Sequence, residues 1–368
     1  MIIDLDDRER PQWWVFGGSG DPAARMDNVL PDPPPWRRFD ADGPARSRER
    51  GERFIARREE INMVNAALYL RRPLLVTGKP GVGKTSLVYA VAHDLGLGDV
   101  LRWSITTSTT LKDGLYRYDA IARLQEASLQ HAPESDARKA SSGPRRRHRA
   151  PPIGDYLRLG PLGTAFAQSR PKRPRVLLID EIDKSDIDLP NNLLHIFEEG
   201  EFPIPELERL PEQRVRILPH DAPEGAKPES DGIEIERGRV RCEGFPLVIM
   251  TSNDEREFPA AFLRRCLKLD MVLPDFDALK QIVTLHLSQQ ARASAADAEP
   301  DAPAEPRLAA ADEQDIDALI RDFLDRREGP PPVDLAADQL LNAVYMVLGD
   351  PSLDRKALID ALWRPLSR

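Results

Sequence analysis

The chain of 368 residues is 31% charged and 41% hydrophobic, a balance that predicts a globular protein with room for two or three compact units. A formal net charge of −9 excludes an overall positive field, so contact with nucleic acid or an anionic membrane would need a local patch. Cys242 and Cys266 lack metal-site spacing and form no disulfide framework, and no apolar run approaches the length of a membrane span. The acidic start from Met1 to Asp7 is unlike a secretory signal, so a cytoplasmic protein is expected.

Residues 1–53 read as an irregular arm, with Trp13-Trp14, Gly17-Gly18-Ser19-Gly20 and Pro33-Pro34-Pro35-Trp36. Its tryptophans are costly in water, so the arm either docks on the core or a neighbouring subunit, or is a disordered leader with adhesive spots. From Phe54 the period becomes helical, with Ile61, Val64 and Leu68 on one stripe. Leu74 to Val76 predicts a buried strand, Gly78 to Gly83 a turn, and Thr85 to Leu95 a helix. A strand over Val100 to Ile105 and one helix over Leu111 to His131 follow. Residues 133–152 have loop composition and carry the basic cluster Arg145 to Arg149, read as a solvated surface loop.

Arg175 to Ile179 predicts a second buried strand and Asp188 to Glu199 a helix. Within 203–245, the alternating pieces Val215 to Ile217 and Ile233 to Ile235 predict a hairpin insertion, followed by Arg239 to Arg241. Leu247 to Thr251 and Leu267 to Leu273 read as strands flanking a short helix, Phe258 to Arg265. Strands alternating with helices over 54–273 predict an α/β fold, a parallel sheet sandwiched between helices. Residues 274–368 read as a small helical lid, interrupted by a mobile Ala/Pro/Asp-rich linker at 291–306.

Three motifs carry chemistry. Gly78-Lys79-Pro80-Gly81-Val82-Gly83-Lys84-Thr85 matches G-x-x-x-x-G-K-[ST] in full, between a strand and a helix, and with Ser86 forms the candidate ATP-binding set. Glycines let backbone N–H groups close around phosphates, Lys84 brings a point charge to them, and Thr85 offers a hydroxyl to Mg²⁺. The apolar run Val176 to Ile179 delivers Asp180 as the second metal candidate and Glu181 as the residue that polarises the attacking water. Asp183 and Lys184 are expected at the surface. A third run ends in Thr251-Ser252-Asn253, where Asn253 can hydrogen-bond water and γ-phosphate. Downstream, Arg264 and Arg265 close a short helix, either as a solvated end or as a guanidinium reaching a neighbour's phosphate.

In order and spacing these motifs, with Leu177 to Asp183 and Phe258 to Arg265, resemble the AAA+ ATPases of the MoxR group over about Phe54 to Leu287. The resemblance implies a P-loop NTPase core with a three-layer sandwich, a hexameric ring binding ATP and Mg²⁺ between subunits, Asn253 as sensor 1 and Arg265 as the arginine finger. It also implies that the Thr106 to Leu115 region holds the loop inserted into the second helix, that the 203–245 hairpin precedes sensor 1, and that a protein client or a von Willebrand factor A domain partner is remodelled or activated. One departure is plain: where such lids present a sensor 2 arginine, this chain has Asp334-Leu335-Ala336-Ala337-Asp338-Gln339, so no sensor 2 is assigned. Two other readings remain open. A nucleic-acid motor would use Arg214, Arg216, Arg237, Arg239 and Arg241, although Glu212, Glu234, Glu236 and Glu243 offset them; an ATP-dependent assembly switch would turn over very slowly.

Overall fold

Three wholly buried runs organise the fold. Leu74–Thr77 (β1), Val176–Asp180 (β5) and Leu247–Ser252 (β10) are buried at every residue, as expected of strands covered on both faces. In this computed structural model, which describes residues 51–52, 54–130, 152–297, 313–330, 333–349 and 355–364, they join Leu101–Ser104 (β2) and Leu267–Asp270 (β11) in one parallel sheet of order β11-β1-β10-β5-β2. The two edge strands alternate buried and exposed positions, because one face of each is less covered. Most of the expected arm, the Arg145 to Arg149 cluster and the linker from residue 298 lie outside the described residues.

Alternate residues serve opposite faces. Leu75, Leu177, Ile179, Val248 and Met250 join a cluster with Leu162, Phe166, Leu193 and Phe202, while Leu74, Val76, Leu178 and Ile249 are equally buried on the other side. Helices Lys84–Asp94 and Pro161–Gln168 both pack on β5, the first also on β10 and the second on β2. Helix Arg58–Leu70 lies on β1 and β11. This is the expected α/β sandwich, and its register brings Thr77, Asp180 and Ser252 to one edge of the sheet.

The long helix expected from Leu111 to His131 is instead broken. Leu111–Leu115 is a short helix, Tyr116–Tyr118 is strand β3, and Ala120–Gln130 is a second helix. β3 pairs antiparallel with Leu157–Leu159 (β4), so the β preference of two tyrosines is realised by a partner distant in sequence. Gly114 lies against the Trp103 ring, where a Cβ would come within 2.5 Å of it. The expected hairpin is part of a larger antiparallel sheet, β6-β9-β8-β7, from Glu201–Pro203 (β6), Arg214–Ile217 (β7), Ile233–Glu236 (β8) and Arg239–Arg241 (β9). Strand β11 ends at Asp270 and the short helix covers only Ala260–Leu263, after Pro259.

The chain divides into two compact units, one holding Ala56–Gly78 with Lys84–Met271, the other joining Lys79–Gly83 to the residues from Val272 onward. Among the described residues the second contains helices Phe276–Asp297, Glu313–Glu328, Ala337–Gly349 and Arg355–Leu362. They enclose Leu279, Val283, Ile320, Phe323, Val344 and Trp363, with the Phe323 and Trp363 rings edge to face at 5.3 Å. Residues 291–297, expected in a mobile linker, continue the first of these helices, since this alanine-rich run meets no proline before Pro300. Among the described residues no helix is long and apolar enough to cross a membrane.

Candidate nucleotide site

After β1 the chain turns with φ of 142° at Gly78, 77° at Gly81 and 95° at Gly83, a region where side chains are strained. At Gly81 there is also no room: a Cβ would lie 2.5 Å from Cβ of Ala336 in the same unit. The stretch that lacks a sensor 2 arginine begins with Asp334, paired with Lys79 at 3.8 Å. Pro80 is exposed, Val82 half-buried, and Ser86 half-buried in the helix that follows.

Lys84 opens that helix with its ammonium turned back to the loop, donating to the Gly78 carbonyl at 2.5 Å and to Asn253 Oδ1 at 2.8 Å. Burial pushes its pKa down, and Asp183, Asp254, Asp180 and Glu181 oppose that shift. Thr85 Oγ1 donates to Asp180 Oδ1 at 3.2 Å. The same carboxylate accepts Thr251 Oγ1 at 2.7 Å and Arg102 Nη2 at 2.6 Å. Glu181 adopts a left-handed conformation, φ 61°, costly for a residue with a side chain and found at functional turns. Its N–H donates to Thr251 Oγ1 at 2.9 Å, so one hydroxyl orients both acidic residues. Its carboxylate accepts Lys184 Nζ at 2.8 Å.

Asn253 is held from behind. Its N–H donates to Asp183 Oδ2 at 2.8 Å, and that oxygen also accepts the Glu255 N–H at 3.3 Å. Asp183, expected at the surface, is only 3% exposed, because it caps the turn after β10 rather than facing water. Sequence reasoning also missed Thr251 and Arg102. The first signal was legible in the Thr-Ser-Asn tripeptide; the second depends on β2 lying beside β5, which no local pattern states. Arg265 is not drawn into this group: its Nε donates to Glu198 and its Nη1 to the Ala261 carbonyl at 3.3 Å. Arg72 holds the carbonyls of Arg264 and Arg265 at 2.5 and 3.1 Å, fixing the end of their helix.

These residues fit a magnesium nucleotide. A buried ammonium, three positive-φ glycines and a following helix N-terminus form a cradle for phosphate, while a hydroxyl and a carboxylate are the hard oxygen donors Mg²⁺ takes alongside phosphate and water. Among the described residues no group of three or more His, Cys, Asp or Glu could hold a metal ion. A family model described as AAA ATPase domain matches residues 53–207. The match spans Gly78 to Ser86 and Asp180-Glu181 and stops before Asn253 and Arg265. With the parallel sheet, it establishes that the chain carries an AAA-type ATPase domain of the P-loop NTPase α/β fold. No curated protein matches the chain.

Proposed function

We propose that the protein is an ATP-hydrolysing AAA+ ring protein, of the kind found in the MoxR group, that remodels or activates a partner protein in the cytoplasm. The observation that carries this reading is a pair of hydrogen-bonded groups at one end of the sheet, Lys84 with Asn253 and Thr85 with Asp180 and Thr251, with Glu181 bonded to Thr251 on a strained turn. Residues Gly78 to Ser86 hold the phosphates, and Thr85 and Asp180 hold Mg²⁺. When bound, Mg²⁺ neutralises charge on the phosphates. Glu181, released from Lys184, takes the proton of the attacking water, and Asn253 orients that water. The 274–368 helices act as the lid, and Arg265 of one subunit completes the site of the next in a hexamer.

A protein rather than a nucleic-acid client is supported by the pairing within the antiparallel sheet. Arg214 meets Glu234 and Glu236, Arg239 meets Glu201 and Glu208, and Arg241 also meets Glu201, so these guanidinium charges are locally balanced. A protein client or a von Willebrand factor A domain protein is the partner class carried over from the family resemblance.

Two variants test the chemistry. Lys84→Ala loses ATP binding, whereas Glu181→Gln keeps binding and loses about 10²- to 10⁴-fold in turnover, the usual contribution of a general base. A fluorescent ATP analogue and phosphate release measure the two steps. Equal loss of binding in both variants would contradict these roles. Stimulation by DNA or RNA, and not by protein clients, would replace the remodelling reading with the nucleic-acid motor.

A further inference from the structure

We propose that a cavity of about 310 Å³ at the β2 edge of the sheet is a second anion site, taking a compact oxyanion of the phosphate class. Its wall includes Arg102, Arg117, Arg158 and His220, with Asp113 as the one carboxylate among the lining residues. That carboxylate accepts the N–H and hydroxyl of Thr110 at 2.9 and 2.7 Å; these bonds, with the nearby charges of Arg117 and Lys112, hold its pKa down, so it keeps its single negative charge against the three arginines. Arg158 is oriented without being neutralised, since its Nε and Nη2 donate to the carbonyls of Pro219 and Ala222 at 3.1 and 2.8 Å. Arg117 is exposed and has no carboxylate ion-pair partner among the described residues. Three guanidinium groups line the concavity, and although Arg102 is paired with Asp180, Arg117 and Arg158 leave positive potential there, against a chain whose net charge is −9.

The dimensions select the ligand. The cavity is at the small end of ligand pockets, suited to phosphate or pyrophosphate rather than to an extended acidic peptide. Planar guanidinium forks match tetrahedral oxyanions in paired hydrogen bonds. Burial, and the charges of Arg158 and Arg117, push the His220 imidazole down while Asp221 opposes them; a bound anion would favour its protonated, donating form.

Arg102 joins this cavity to the nucleotide site, because its Nη2 donates to Asp180 Oδ2 at 2.6 Å. An anion in the cavity and Asp180 therefore compete for one guanidinium. This coupling rests on the reading of Asp180 as the magnesium residue; the anion site itself does not.

The test is calorimetric titration of inorganic pyrophosphate into the full chain carrying Lys84→Ala, which silences the glycine-rich loop. Binding is expected there, to weaken about tenfold or more on adding Arg117→Ala, as for loss of a hydrogen bond to a charged group, and to be partly kept by Arg117→Lys. Adding Asp180→Asn should tighten it by freeing Arg102, and unchanged affinity would remove Arg102 from the site. Circular dichroism establishes that each variant is folded. Absence of pyrophosphate binding to Lys84→Ala, or binding indifferent to both Arg117→Ala and Arg158→Ala, overturns the site. A glutamate-rich peptide that binds where pyrophosphate does not overturns the ligand class. Since no step reads hydrolysis, failure of the ATPase reading leaves this result standing.

Discussion

Lys84 is the residue at which burial and function conflict most directly. An ammonium taken from water is disfavoured in its charged form, and the surrounding carboxylates only partly compensate, so its folded pKa lies below the unfolded value. The sign of the linkage follows: the folded protein binds fewer protons at this group than the unfolded chain, and stability from this group rises with pH between the lowered pKa and about 10.4. Phosphate entering the cradle reverses the balance by favouring the ammonium. ATP binding is therefore expected to take up protons at alkaline pH, between the lowered pKa of Lys84 and its ordinary value, where phosphate esters with a second pKa of about 6 are already fully ionised. Calorimetry in two buffers of different ionisation enthalpy measures the uptake. Identical heats in both would mean that Lys84 is fully charged before nucleotide arrives. Thr251 is a quieter case at the same scale: one hydroxyl donates to Asp180 and accepts from the Glu181 N–H, so Thr251→Val should lower turnover by disordering two acidic residues at once.

The turn after β10 works as an element because Asp183, on the turn after β5, ties it to the neighbouring strand. Asp183→Ala removes the acceptor of the Asn253 and Glu255 N–H groups and should cost about 1–3 kcal/mol of stability for the unsatisfied donors, together with turnover. Asp183→Asn keeps an acceptor and should retain most of both, which chemical denaturation and steady-state kinetics can compare. If both variants lose stability and turnover alike, the charge of Asp183 matters and its acceptor geometry does not; if both retain them, neither does. The contrast also explains what was legible in the sequence. β1, β5 and β10 announce themselves as continuous apolar runs, and the glycine-rich loop, Asp180, Glu181 and Asn253 follow from their positions at strand ends. Asp183 looked like a surface residue because an acidic residue after a strand carries no mark of what will pack over it. Arg102 was equally silent, since its contact with Asp180 arises only from the β2 and β5 register. The helix expected through Leu111 to His131 failed for the same reason: Tyr116 to Tyr118 is a strand because β4, some forty residues on, is there to pair with it. Local pattern is decisive where one strand's burial dictates its composition, and uninformative where two distant segments decide together.

At the scale of the whole molecule, a trans arginine finger requires a guanidinium that can leave its own subunit for a neighbour's nucleotide. Arg265 sits on Glu198 of its own chain, so a role in a neighbour's site requires it to exchange that carboxylate for phosphate. The exchange is electrostatically natural, since a nucleotide offers more negative charge than one partly exposed glutamate. It predicts that saturating ATP drives the Glu181→Gln variant into a ring, and light scattering that finds only monomer would remove the trans arrangement. The stronger test uses two defects. Arg265→Ala and Glu181→Gln proteins should each be nearly inactive, the first by roughly a thousandfold, the scale seen when such a finger is removed. In a mixed ring, wherever an Arg265→Ala subunit supplies Glu181 and its Glu181→Gln neighbour supplies Arg265, the interface contains both intact groups. Those interfaces should turn over, and the mixture should exceed the sum of its parts once fluorescence has established that subunits exchange. Arg264→Ala is the control: its carbonyl is held by Arg72, a contact the substitution leaves intact, so a smaller loss is expected. Exchange without recovery, or an Arg264→Ala loss equal to that of Arg265→Ala, would move the finger away from Arg265 and with it the geometry of the ring.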